Sequence, residues 1–150
     1  MRVVIQRTRS ASVSIHGEIR SSIGQGLLLL LGIENGDTQE EGQWLAEKCA
    51  ALRIFADDEG LMNRSVRDIQ GGVLVISQFT LIASMKKGNR PSFHNAEKPA
   101  AAVKLYETFL AQLSTALGQP VAAGEFGADM QVSLVNDGPV TLVIDSRRRE

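Results

Sequence analysis

The sequence predicts one sheet-rich α/β domain with two main helices, and three observations carry that reading. Apolar residues alternate with polar ones, or run together briefly, between clusters of Gly, Asn and Asp, as strands and turns do. Only two segments, one after Thr38 and one from Pro99, carry a helical stripe. The chain has 150 residues, 43% hydrophobic and 22% charged, enough to bury one proper core. We therefore read residues 1–150 as a single domain. The order of elements disfavours a doubly wound parallel sheet, in which strands and helices alternate throughout.

Val3-Val4-Ile5 opens the first strand. "ASVSIHGEIRSSI" then alternates Val13, Ile15, Ile19 and Ile23 with polar residues about Gly17, a hairpin with His16 in its turn. "GQGLLLLLGI" reads as a short buried strand, closed by the turn residues "ENGD". Thr38 and Glu41 have the capping-box spacing, and Trp44, Leu45, Cys49 and Leu52 lie near one face of the helix that follows. "LRIF" leads into the polar turn "ADDEGLMN". After Gly71-Gly72, "VLVISQFTLIA" begins as a central buried strand, and "SMKKGNRPSFHNAEKP" is a loop. Pro99 suits the first turn of the second helix, whose stripe is Val103, Tyr106, Phe109, Leu110, Leu113 and Leu117, with Gly118 beyond its end. Two last strands, "MQVSLV" and "VTLVID", flank "NDGPVT". Asn136-Asp137-Gly138 is a hairpin signal, although Pro139 removes a donor where pairing should resume. "SRRRE", residues 146–150, reads as a flexible tail.

Composition excludes several function classes. The longest apolar run, "LLLLLGI", is far short of the roughly 20 residues a bilayer span needs. "MRVVIQRTRS" lacks a secretory apolar segment, and a lone Cys49 excludes an internal disulfide framework; both fit a cytoplasmic protein with no membrane partner. A net charge of −1 argues against a dominant positive field, and no DNA partner is expected. With two histidines, one cysteine and none of the common nucleotide or metal motifs, no metal and no cofactor are expected.

"SQFTL" ends an apolar strand with hydroxyl and amide groups. Ser77 or Thr80 could be a nucleophile and Gln78 could orient a carbonyl or water, provided a base such as His94 lies within reach. Equally, these groups could satisfy backbone at a strand end. Lys86, Lys87 and Arg90 crowd a loop around Gly88 that could contact phosphates, with Phe93 available for stacking, or could simply be solvated. Arg7, if it points inward, needs an acceptor. Phe126 and Met130 are spaced so that both could touch one ligand, or could be ordinary packing.

Taken together, "SQFTL", "KGNRPSF" and "NDGPVT", in that order, resemble the D-aminoacyl-tRNA deacylase family. "RVVIQR", the "ASV" hairpin, "GLLLLLGI", "LRIF" and "ADMQVSLVNDGPVT" extend the similarity over nearly the whole chain. The resemblance implies mixed, largely antiparallel strands in barrel-like layers. It implies a homodimeric enzyme that hydrolyses the ester of D-aminoacyl-tRNA, and of glycine mischarged on alanine tRNA, with tRNA as partner. The pocket would be built by Ser77, Gln78, Phe79 and Thr80. Gly138 and Pro139 match a Gly-cis-Pro pair that reaches across the dimer to exclude L-aminoacyl groups. Phe126 and Met130 match positions that hold the terminal adenosine, and Arg7 matches a residue that braces the Gly-Pro backbone. Two other readings remain: a small-molecule esterase using Thr80 or Ser77 with His94, and a non-catalytic RNA-binding dimer.

Overall fold

The computed structural model describes residues 1–149. A long strand, β1 (Arg2–Ile15), turns back into β2 (Glu18–Ile23), followed by β3 (Gly26–Gly32) and helix α1 (Gln39–Ala51). A small hairpin, β4 (Phe55–Ala56) with β5 (Met62–Arg64), precedes β6 (Gly72–Ser77) and a 3-10 turn, Phe79–Ile82. Helix α2 (Pro99–Leu117), β7 (Ala122–Ala123) and β8 (Gln131–Asp145) complete the fold. The main sheet runs β2-β1-β3-β6-β7, with β8 also on β1. Pairs within β1, β2, β3 and β8 are antiparallel, whereas β3-β6 and β6-β7 are parallel. The Ser21 hydroxyl donates to the Ala123 carbonyl at 2.7 Å and ties β2 to β7. The two ends of the strand path thus meet, and the sheet curls into a nearly closed barrel.

The leucine run is explained by burial on both faces, as in strands covered from two sides. Leu27, Leu29 and Leu31 join the core under the helices, while Leu28 joins a second core with Ala11, Val13, Leu74 and Ile76. β6 divides the same way, Val73 and Val75 to the first core and Leu74 and Ile76 to the second.

Local chemistry sets the ends of the elements. Thr38 Oγ1 accepts from the Glu41 amide at 3.3 Å and Glu41 Oε2 accepts from the Thr38 amide at 2.9 Å, a complete capping box. Pro99 opens α2, and Gly118, with φ +72°, closes it by donating to Ser114 and Thr115. His16 and Gly17, at φ +52° and +81°, make the tight turn between β1 and β2.

Two expectations need correction. "NDGPVT" is not a hairpin turn between two strands: β8 is one strand, and both of its halves pair with β1 in the same antiparallel sense. Gln6 faces Thr141 and Thr8 faces Asn136, so two steps along β1 correspond to five along β8, and residues 137–140 are left out of the pairing as a bulge. Nor do residues 146–149 hang free as the arginine run suggested. Ser146 is buried and its amide donates to the Met1 carbonyl at 2.9 Å. Arg147 donates to Asp37 at 3.0 Å, and the Arg149 guanidinium lies 4.5 Å from the Trp44 ring centre. Glu150 lies outside the described residues.

The anchor of this closure is Asp37. Its Oδ2 meets the Met1 ammonium at 2.7 Å with both side chains almost wholly enclosed, and its Oδ1 meets Arg147 at 2.9 Å. Removing one member of a buried pair strands the other charge, at a cost of about 3–5 kcal/mol. Asp37→Ala is therefore expected to lose about that much stability in urea unfolding. A loss below about 1 kcal/mol, the range of exposed pairs, would contradict this placement.

Candidate active site

The site begins with the bulge. Opposite the unpaired residues β1 has its own irregularity: Thr8 faces Asn136 and Ser10 faces Val135, so Arg9 is an extra residue. A one-residue insertion inverts the side-chain alternation beyond it. Val3 and Ile5 accordingly enter the core under the helices, while Ala11 and Val13 enter the barrel core. β8 changes sides at the same place, with Val132 and Leu134 packed on the barrel core and Val140, Leu142 and Ile144 on the other.

At this crossing Arg7 points inward, 13% exposed, and finds its acceptors in backbone. Its Nε donates to the Asp137 carbonyl at 3.0 Å and its Nη1 to the Ile54 carbonyl at 2.5 Å. Arg9 holds the Asp137 carboxylate at 3.1 Å. Asn136 closes the neck: its Oδ1 accepts from the Val140 amide at 3.0 Å and its Nδ2 donates to Thr141 Oγ1 at 2.9 Å. Gly138 and Pro139, joined by a cis peptide bond, are left exposed at the tip. Gly138 has φ +124°, a conformation open chiefly to glycine, and an added Cβ would lie 2.8 Å from Arg7 Nη2.

Ser77, Gln78 and Phe79 of "SQFTL" form a rim shared by two cavities. One, of about 550 Å³, is lined by Ser77, Gln78, Phe79, Phe93, His94 and Phe126, with Glu97, Lys98 and Pro99 at the start of α2. The second, of about 250 Å³, shares Ser77, Gln78 and Phe79 and adds Met130. Phe126 thus lines the first cavity and Met130 the second, with Gly127 between them lining both. Phe79 is 57% exposed and packs edge-on against Phe93, with ring centres 5.0 Å apart. Thr80 lines neither cavity; its hydroxyl accepts from Gln78 Nε2. The tip residues Gly138 and Pro139 and their brace Arg7 also line neither cavity of their own chain.

The 3-10 turn is held from below. Arg2 Nη1 donates to the Leu81 carbonyl at 2.7 Å while its Nη2 pairs with Asp145 at 3.0 Å. Gly32 lets the turn approach closely, since a Cβ there would stand 3.0 Å from the Gln78 carbonyl. The first bond of the turn runs from the Leu81 amide to the Gln78 carbonyl at 3.2 Å. The Phe79 and Thr80 amides precede it, and neither has an acceptor among the described residues.

No side-chain base is hydrogen-bonded to the hydroxyls of Ser77 or Thr80 among the described residues. His94 Nδ1 is engaged with Ser92 Oγ at 2.8 Å, and among the described residues neither Ser77 nor Thr80 bonds to it. Glu97 accepts from the Lys98 amide at 2.8 Å. Burial pushes the Cys49 thiol up to about 12, which rules it out as a thiolate at neutral pH. Lys86, Lys87 and Arg90 line a third cavity, of about 520 Å³, beside the first. The sequence reading missed Glu97, Lys98 and Asn136 as site residues, because the first two fell in a stretch read as a polar loop and the third looked like a turn.

An apolar cavity with a few polar groups on its wall, Ser77 and Gln78 among them, and the unengaged backbone of Phe79 at its rim has the make-up of a small-molecule pocket. The family model described as D-Tyr-tRNA(Tyr) deacylase matches residues 4–145. D-aminoacyl-tRNA deacylases of Opitutus terrae and Akkermansia muciniphila are 61% and 58% identical over 150 residues, covering all of each chain. A solved structure described as a c-Myc DNA unwinding element binding protein superposes with TM-score 0.91 at 42% identity, covering 97% of this chain and 98% of its own. Another, described as a probable eukaryotic D-amino acid tRNA deacylase, has TM-score 0.79 at 17% identity over 95% and 97%, a likeness of fold. The chain belongs to the D-Tyr-tRNA(Tyr) deacylase family, a family of ester hydrolases.

Arg7→Ala would leave the Asp137 and Ile54 carbonyls without their charged donor. A stability loss of about 1.5–3 kcal/mol is expected, since bonds to charged groups are worth that much. Hydrogen exchange of the amides from Asp137 to Thr141 should quicken by more than the global loss explains. Unchanged exchange in that segment would show that Arg7 does not hold the bulge.

Proposed function

We propose that this protein hydrolyses the ester joining a D-amino acid to the terminal adenosine of a tRNA, and that glycine mischarged on alanine tRNA is a second substrate. Family membership over nearly the whole chain supports the reaction. The observation that carries the chirality reading is the tip of the bulge. Gly138-Pro139 is braced and exposed, and it lies outside the cavities of its own chain. In this reading the protein works as a homodimer in the cytoplasm, and each tip enters the partner subunit's cavity at the Ser77–Phe79 wall. Their carbonyls then receive the substrate's amino group and fill the space an L side chain needs, which is selection by exclusion. A D side chain points away, and glycine has none to exclude.

The chemistry falls to backbone and substrate. The Phe79 and Thr80 amides face the carbonyl oxygen as charge develops on it, each such donor being typically worth about 3 kcal/mol. Gln78 orients the ester and Thr80 holds Gln78 through their hydrogen bond. Phe126 and Met130, in their neighbouring cavities, flank the adenosine. Because no side-chain base bonds Ser77 or Thr80 among the described residues, this reading gives the activation of water to the ribose 2′-hydroxyl beside the ester. Lys86, Lys87 and Arg90 contact phosphates of the tRNA.

One panel tests this reading: D-aminoacyl-, L-aminoacyl- and glycyl-tRNA, with a 2′-deoxy version of the D substrate. The D and glycyl esters should be cleaved, the L ester spared and the deoxy ester slowed by at least about a hundredfold, the low end for a lost acid–base group. Equal hydrolysis of D and L esters would contradict the exclusion mechanism, and an unslowed deoxy substrate would contradict the role given to the 2′-hydroxyl.

A further inference from the structure

The third cavity lies outside the reacting centre, yet it is built to a pattern. Lys86, Lys87 and Arg90 line it together with Ser84, Ser92 and His94, and its lining contains no carboxylate. Among the described residues none of the three cations is paired with an acidic group. In a chain of net charge −1 this concentrates unneutralised positive charge in one concavity. The loop is also anchored. Ser84 and Ser92 exchange backbone hydrogen bonds at 2.8 and 2.9 Å, so the residues between them rise from a closed base. The wall behind is fixed as well, since Asn35 bonds the carbonyls of His94 and Asn95 at 2.9 and 2.8 Å.

His94 lines both this cavity and the 550 Å³ cavity beside Ser77 and Gln78. One side chain therefore separates the apolar pocket from the basic one. The end of an RNA has a matching layout: on its last nucleotide, one ribose separates the esterified oxygen from the 5′-phosphate. We propose that the basic cavity is a subsite for that single phosphate, the one linking the terminal adenosine to the nucleotide before it. Lys86, Lys87 and Arg90 supply charge, and the Ser84 hydroxyl and Asn95 amide supply donors, a combination suited to phosphate oxygens. The subsite would fix the distance between the ester pocket and the strand that delivers it. The proposal rests on the deacylase reading only for the identity of the strand. The phosphate chemistry stands by itself.

The test is equilibrium binding of 5′-AMP and adenosine, by calorimetry at low salt, to the native protein and to a Lys86→Ala, Lys87→Ala, Arg90→Ala triple variant. The native protein is expected to prefer 5′-AMP by about tenfold or more, the size of one charge-assisted contact. In the triple variant the preference should fall to below about twofold, whereas Lys104→Ala, which removes a lysine on α2 outside the cavity, should keep it. Equal affinity of the native protein for the two ligands overturns the subsite, as does a preference that survives in the triple variant. Because the readout is binding, a phosphate preference without any deacylation would sink the deacylase reading and leave the subsite standing.

Discussion

The hold of Arg7 on the Asp137 carbonyl is the interaction on which the rest of the structure depends. It sits where β1 and β8 both cross from the core under the helices to the core inside the barrel. Such a crossing needs a break in the strand alternation, and the break leaves backbone groups without ladder partners. Arg7 and Asn136 supply those partners from side chains, and Arg9 holds the Asp137 carboxylate beside them. What remains outside this support is the pair Gly138-Pro139, exposed at the tip of the same irregularity that joins the two cores.

This economy fits a site poor in reactive side chains. The buried thiol of Cys49 and the phenol of Tyr106 are each pushed up to about 12 by burial. Tyr106 instead donates to the Val75 carbonyl at 2.9 Å and packs near Phe126, which steadies the cavity wall. The polar rim is Ser77, Gln78 and the leading amides of a short turn, and Arg2 and Gly32 set that turn's position. Binding geometry and fixed dipoles, with the substrate's own hydroxyl, then carry the proposed reaction in place of a side-chain nucleophile.

Much of the fold was legible where local rules decide it. The Thr38–Glu41 box, the Gly118 cap, the His16-Gly17 turn and the doubly buried leucine run all depend on neighbours within a few residues or on burial alone. The bulge was not legible, because "NDGPVT" has the composition of a hairpin turn and only pairing of both β8 halves with β1 shows otherwise. The arginine tail misled for a similar reason. Its partners, Asp37, Glu34 and Trp44, lie more than a hundred residues earlier and meet it only through the closed sheet. Of the candidate site, "SQFTL" and the basic loop fell beside real cavities, whereas Thr80 turned out to support Gln78 and to line neither of the two cavities at that rim.

The central proposal is that one subunit's Gly138-Pro139 tip completes the other subunit's pocket, and subunit mixing tests it directly. Gly138→Val damages only the tip and Gln78→Ala only the pocket, and each homodimer should deacylate D-aminoacyl-tRNA poorly. After subunit exchange, a mixed dimer would join one intact pocket to one intact tip. Random mixing should then restore roughly a quarter of native activity, one good site in half of the dimers. Mixtures no more active than the average of the two parents would contradict a tip that works in its partner.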